Sequence, residues 1–176
     1  IMRHAWKILA TVVLGGCASV PEGLQPVTGF QLDRYLGTWY EIASYPAWFQ
    51  KGCTAVTAEY TLRDDGLIRV VNSCNKGSLD GTLKQSTGRA KVVDGSANAK
   101  LKVSFFWPIW GDYWIIDLDP EYRWAVVGVP NRKFLWILSR TRSMDEALFQ
   151  EIASRLAAKG YDPARLVRTL QPAAAE

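Results

Sequence analysis

Histidine is almost missing from this chain. His4 is the only one among 176 residues, and it falls in a leading segment expected to be removed. A mature protein without histidine is excluded from Ser-His-Asp and Cys-His nucleophilic catalysis and from zinc sites built on imidazole. No run of Lys or Arg occurs, and the net charge of +4 falls by two when Arg3 and Lys7 are discounted. Such a weak, scattered positive charge gives nucleic acid no footing. Long hydrophobic runs are also missing. The apolar stretch from Ile8 to Leu14 is far short of the ~20 residues a transmembrane helix needs. Cysteine is scarce, with three residues.

The short apolar stretch is informative in another way. Arg3 and Lys7 flank it on one side and Gly15-Gly16-Cys17 follow it, the order of a secretory signal. A cysteine directly after a small pair is similar to the lipobox of bacterial lipoproteins. That resemblance implies cleavage before Cys17, lipid on its sulfur and membrane contact through the anchor. The alternative is an ordinary signal peptide with a cysteine nearby. Two or more acyl chains give stable anchoring. Position 18 is Ala, not the Asp that usually retains such lipoproteins at the inner membrane. The expected address is therefore the outer membrane, lipid-anchored, on the periplasmic face. The expected organisation is a signal peptide at 1–16, a lipidated tether at 17–29 marked by Pro21, Gly23, Pro26 and Gly29, one folded domain at 30–172, and a tail at 173–176.

Aromatic residues are abundant, with 8 Trp in the chain. A small domain so rich in indole has an aromatic core or binds something apolar. Eight extended segments recur between turn signals, at 39–45, 54–62, 67–73, 84–93, 101–105, 113–118, 123–129 and 134–140. Asp64-Asp65-Gly66, Asp94-Gly95-Ser96 and Pro130-Asn131-Arg132 mark tight connections, and 107–112 reads as a loop. Together they predict an all-β fold, an eight-stranded antiparallel up-and-down meander. Closing it into a barrel removes the exposed edges and leaves an interior that side chains fill or that holds one small ligand. One helical turn is expected at 32–36. A longer helix should begin at a capping box of Ser143 and Glu146 and stop at Gly160. Its apolar face of Met144, Leu148, Ile152 and Leu156 packs on the outside of the barrel. Residues 166–170 can add a ninth strand.

Three motifs carry a family resemblance. They are Gly37-Thr38-Trp39-Tyr40-Glu41, Asp119-Pro120-Glu121-Tyr122 and Leu138-Ser139-Arg140-Thr141. In this order, with eight strands before a helix, they resemble the lipocalins, in particular the bacterial group of outer-membrane lipoproteins. In an up-and-down barrel alternate connections lie at opposite ends. The first strand starts at Trp39, so the eighth ends at the same end and brings Arg140 to it. The resemblance implies that Gly37, Trp39 and Arg140 close the barrel floor, with a guanidinium over an indole. The same parity sends Trp48 and Phe49 in one connection, and Trp107, Ile109 and Trp110 in another, to the open mouth. They form a binding mouth or fold in as a plug.

Polar alternation sets the inward faces. With Thr57, Glu59, Arg69, Lys102 and Ser104 outward, Val56, Ala58, Tyr60, Ile68, Val70, Leu101, Val103 and Phe105 point inside. In 113–118 the polar cue is Asp117, which puts Trp114 and Ile116 inside and Tyr113 and Ile115 outside. The last two strands are apolar on both faces and show no choice. Lys51, Arg132 and Lys133 lie in mouth connections, where they meet a head group or are merely solvated. Cys53 and Cys74 form an even pair in an oxidising compartment. They are near-opposite on one hairpin and need a bulge to meet; a free thiol is the alternative. Glu41, Glu59 and Asp117 make no paired acid–base set. The resemblance implies non-enzymatic binding, storage or transport of lipids, such as fatty acids like palmitate or lysophospholipid-like amphiphiles, with no cofactor, metal or nucleic acid. The alternatives are a lipocalin-fold enzyme acting on a bound lipid and a structural envelope lipoprotein with a plugged barrel. The oligomeric state is left open.

Overall fold

A computed structural model describes residues 23–95, 97 and 99–173. The expected signal peptide, Cys17 and the first part of the tether lie outside the described residues. The extended runs form β1 (Gly37–Ser44), β2 (Cys53–Leu62), β3 (Ile68–Lys76), β4 (Leu83–Val92), β5 (Lys100–Phe106), β6 (Ile109–Leu118), β7 (Trp124–Gly128) and β8 (Leu135–Ser139). Each pairs antiparallel with the next, and β1 pairs with both β8 and β2, so the meander closes. A single turn, α1 (Leu32–Tyr35), precedes the barrel, while α2 (Glu146–Ala158) and the short β9 (Val167–Arg168) follow it.

Closure takes two different forms at the two ends. Near the floor β1 pairs directly with β2, from Gly37 opposite Tyr60 to Tyr40 opposite Thr57. Toward the mouth the two strands part and the C-terminal segment fills the gap. β9 pairs with Ala43 and Ser44. The Thr169 amide donates to the Ile42 carbonyl and the Ala55 amide to the Leu170 carbonyl. The Gln171 side-chain amide then donates to the carbonyls of both Glu41 and Val56, at 2.9 Å each. The backbone groups that an open seam would expose are thus paired.

Two apolar clusters share the barrel wall. One fills the interior around Tyr35, Trp39, Tyr60, Leu101, Ile115, Val127 and Leu138. The other lies outside, where α2 packs Phe149, Ile152 and Leu156 against Trp124, Val126, Leu135 and Ile137. Each fully buried side chain contributes roughly 1.5–3 kcal/mol of burial free energy. This explains why β7 and β8 show no polar alternation: their outer face is also covered. Ala125, Val127, Trp136 and Leu138 face in, and Trp124, Val126, Leu135 and Ile137 face the helix.

The structure corrects several expectations. In β6 the inward residues are Tyr113 and Ile115, whereas Trp114 and Ile116 pack with the outer cluster. Asp117 does point outward, to the Arg155 guanidinium of α2 at 2.9 Å. A register shift between Ile115 and Asp117 breaks the alternation, so the phase of Asp117 does not carry back along the strand. β6 also starts at Ile109, so the expected 107–112 loop is a tight hairpin. The helix cap is Asp145, whose carboxylate accepts from the Leu148 amide at 3.1 Å, and not Ser143. Gly160, at φ +83°, ends the helix as expected.

The anticipated bulge joins the cysteines. Between Thr54 and Thr57 the β2–β3 register shifts, with Ala55 at φ +50°. Cys53 and Cys74 come to a Cα–Cα distance of 5.4 Å and form a disulfide.

Candidate ligand-binding site

The floor is built on Gly37, Trp39 and Arg140. Gly37 has φ +91°, and a Cβ there would face the Arg140 guanidinium at 3.5 Å, so the first residue of β1 is restricted to glycine on conformational grounds. Arg140 lies 3.8 Å from the centre of the Trp39 ring. Its fork also donates to the carbonyls of Thr38 at 2.8 Å, Arg34 at 2.8 Å and Leu36 at 2.9 Å. One side chain therefore ties α1, β1 and the end of β8 together. Trp39 donates from its indole nitrogen to the Tyr35 carbonyl at 2.8 Å. Beside this knot, Asp119 caps the β6–β7 turn and forms a two-point ion pair with Arg123. The hydrogen bonds from the Arg123 guanidinium hold the Asp119 carboxyl below its usual range.

Above the floor stand three phenols. The Tyr113 hydroxyl lies 2.7 Å from those of Tyr35 and Tyr60. Burial pushes the Tyr60 phenol up to about 12 and also raises Tyr35 and Tyr113 well above their ordinary value. The cluster therefore stays protonated. Three O–H groups share two hydrogen bonds, so one donor remains uncommitted.

Exposure varies among the inward side chains. Among the inward residues, Tyr35, Trp39, Ile68, Ala90, Leu101 and Ile115 are buried, whereas Ala58, Val103, Phe105, Tyr113 and Trp136 are half-buried. Small residues leave the space. Gly88 is overlaid by the ring of Phe105, only 2.7 Å from where a Cβ would stand. Gly111, opposite Val103 on the inner face, has nothing nearer than the Val103 carbonyl at 3.9 Å. The more accessible inward side chains thus lie on β2, β5, β6 and β8, above a floor closed by Trp39 and Arg140.

The mouth side is linked by a buried carboxylate. Glu41 accepts from Ser44 at 2.9 Å, from the Thr169 hydroxyl at 2.5 Å and from the Gln50 side chain at 2.7 Å. Gln50 in turn accepts from the Trp136 indole at 2.8 Å. This chain fixes the 3₁₀ turn Trp48–Gln50 to the wall.

Of the residues expected to line the cup, Ala58, Tyr60, Ile68, Val70, Val103 and Phe105 belong to the interior cluster or pack on it. Val56 is buried beside the seam. Trp48 stands exposed on the rim. Trp114 and Ile116 lie outside, as described above. Trp110 is also on the outer wall, with the Lys91 amine 4.7 Å from its ring; Trp107 turns to the same side, over Arg89 at 4.5 Å. Their positions follow from the early start of β6, which places Trp110 in the strand with its outward phase. The pattern missed Tyr35, Tyr113 and Trp136. A glycine in the middle of a strand, as at Gly88 and Gly111, was the available signal for interior space.

Comparison with known proteins agrees with this architecture. The lipocalin-like domain family matches residues 30–171. The outer membrane lipoprotein Blc of Vibrio cholerae is 40% identical over 171 residues, covering 97% of this chain and 99% of the relative. The Escherichia coli K12 protein of the same name is 41% identical over 165 residues, 93% of each. Among solved structures, insecticyanin from the tobacco hornworm superposes with a TM-score of 0.67 at 19% identity, covering 83% of both chains; at that identity the likeness concerns the fold.

Proposed function

The chain belongs to the lipocalin family, whose members bind small hydrophobic molecules, and from that premise we propose that its cup holds the acyl chain of a fatty acid or lysophospholipid-like amphiphile. The protein stores or carries this lipid without changing it. The relatives named outer membrane lipoproteins support an outer-membrane lipoprotein address, and we place the barrel on the periplasmic face with Cys17 as the lipidated residue.

The observation that carries the reading is the set of apolar inward side chains that stay half-buried, with open space over Gly111. The wall offered to a ligand is Ala58, Val103, Phe105 and Trp136, all apolar. Each buried methylene contributes about 0.8 kcal/mol, so a long chain gains on the order of 10 kcal/mol before ordering costs. The spare phenolic donor near the floor suits an acceptor oxygen on the ligand.

Titration with palmitate, followed by tryptophan emission, tests the reading. Trp136 lines the cup, so the signal should saturate with lipid and shrink in Trp136→Phe. Mass spectrometry of the extracted ligand should return it unaltered. A flat titration, or a chemically changed lipid, would refute the carrier role.

A further inference from the structure

The rim of the cup is apolar where a rim meeting only water is usually polar. Trp48 is 82% exposed, Phe106 75%, Ile109 72%, Trp107 69%, Leu83 58% and Phe49 47%. They come from the β1–β2 connection, the β5–β6 hairpin and the start of β4. In the cyclic strand order the first two sites are diametrically opposed, so apolar groups flank the opening on opposite sides. Large apolar side chains left exposed together at these sites mark a contact surface.

The two ends of the barrel differ in charge balance. The mouth connections and their flanks carry Lys51, Lys76, Lys84 and Lys133, with Asp80 as the one carboxylate in residues 45–52, 77–82, 107–108 and 129–134. The floor end carries Asp33, Asp64, Asp65, Asp94, Asp119 and Glu121 against Arg34, Arg63, Arg123 and Arg140. Three of those carboxylates are already paired, with Arg63, Arg123 and Arg34.

We propose that the rim docks mouth-first on an anionic phospholipid bilayer. Indole and phenyl rings favour the boundary between head groups and acyl chains, and interleaved lysines favour the anionic surface. An apolar ring of this kind would also fit a hydrophobic protein surface, but the lysines among the aromatics match phosphates. Docked in this way, the cup opens directly onto the lipid. The docking goes beyond the carrier role and stands on the rim alone.

The test uses the full chain with vesicles of phosphatidylethanolamine and phosphatidylglycerol bearing brominated acyl chains. Bromine quenches an indole only on contact. Trp107 turns to the outer wall over Arg89, so its quenching reports the bilayer and not the contents of the cup. The expected result is quenched emission in the wild type and loss of that component in Trp107→Phe. The quenching should weaken with salt and without phosphatidylglycerol. The variant Trp48→Ser/Phe106→Ser, shown to fold by circular dichroism, should reduce it severalfold. Unquenched Trp107 in vesicle-bound protein would overturn the proposal, because a merely tethered barrel or a rim covered by another protein behaves that way. Quenching that persists in full both in Trp107→Phe and in Trp48→Ser/Phe106→Ser would place the lipid in the cup; that would overturn the docking and leave the carrier reading intact. A flat palmitate titration with quenched Trp107 would do the reverse.

Discussion

Replacing Arg140 by Ala tests the physics of the floor. The guanidinium over Trp39 contributes roughly 0.5–2 kcal/mol. A hydrogen bond from a charged donor contributes about 1.5–3 kcal/mol when shielded and less when water replaces it. The bond to Leu36 is partly buried, while those to Thr38 and Arg34 are exposed. Counting the shielded bond nearly in full and the exposed ones at a fraction gives a loss of about 3–5 kcal/mol, a large part of the roughly 5–15 kcal/mol that holds a domain together. Arg140→Lys keeps a cation near the indole but loses the fork, and should cost about half as much. Urea unfolding followed by far-ultraviolet circular dichroism measures both. A double-mutant cycle with Trp39→Phe isolates the ring contact, with an expected coupling of about 0.5–2 kcal/mol. A loss below ~1 kcal/mol for Arg140→Ala, with no coupling to Trp39, would show that the floor is held by burial alone.

Two further outcomes follow from buried polar groups. The Tyr60 phenol is raised from 10.0 to about 12 by burial. Its contribution to stability is therefore complete below pH 10 and is lost as pH rises toward 12, because the unfolded phenol ionises first. Urea midpoints across this window should fall more steeply in the wild type than in Tyr60→Phe. Phenolate absorbance of the folded protein should show tyrosines that ionise only on unfolding; all 7 tyrosines titrating together near their ordinary value would contradict this. Glu41→Gln replaces an acceptor of three hydrogen bonds with a group that must direct a donor at one of them. The expected cost is about 1–3 kcal/mol, with faster amide exchange at Trp48–Gln50 and altered Trp136 emission. Unchanged exchange there would separate the turn from the carboxylate.

The chain reveals its fold where one face of each strand is wet. β2 and β3 alternate cleanly because Thr57, Glu59 and Arg69 face out, and their inward residues can be read directly. β7 and β8 cannot be phased from the pattern because α2 covers the outer side of Trp124, Val126, Leu135 and Ile137. β6 misleads for a different reason: a bulge beside Asp117 reverses the phase, and a bulge leaves no compositional mark. Along β2 the opposite happened. The disagreement in parity between Cys53 and Cys74 required a bulge, and the constraint of a disulfide made it visible. Open space on the inner wall was legible only through Gly111, while Gly88 makes room for the ring of Phe105. The phenol cluster depends on α1 and on the corrected phase of β6, so it emerges only from the folded chain.

Filling the cup is the most direct test of the account. Gly111 sits on the inner wall with its backbone outside the left-handed region and open space above it, so Gly111→Phe should fold with a thermal midpoint near that of the wild type. Calorimetric titration of both proteins with palmitate should show saturable binding in the wild type and at least a tenfold loss in the variant, about 1.4 kcal/mol. Equal binding by a well-folded Gly111→Phe would contradict the claim that this interior receives the lipid.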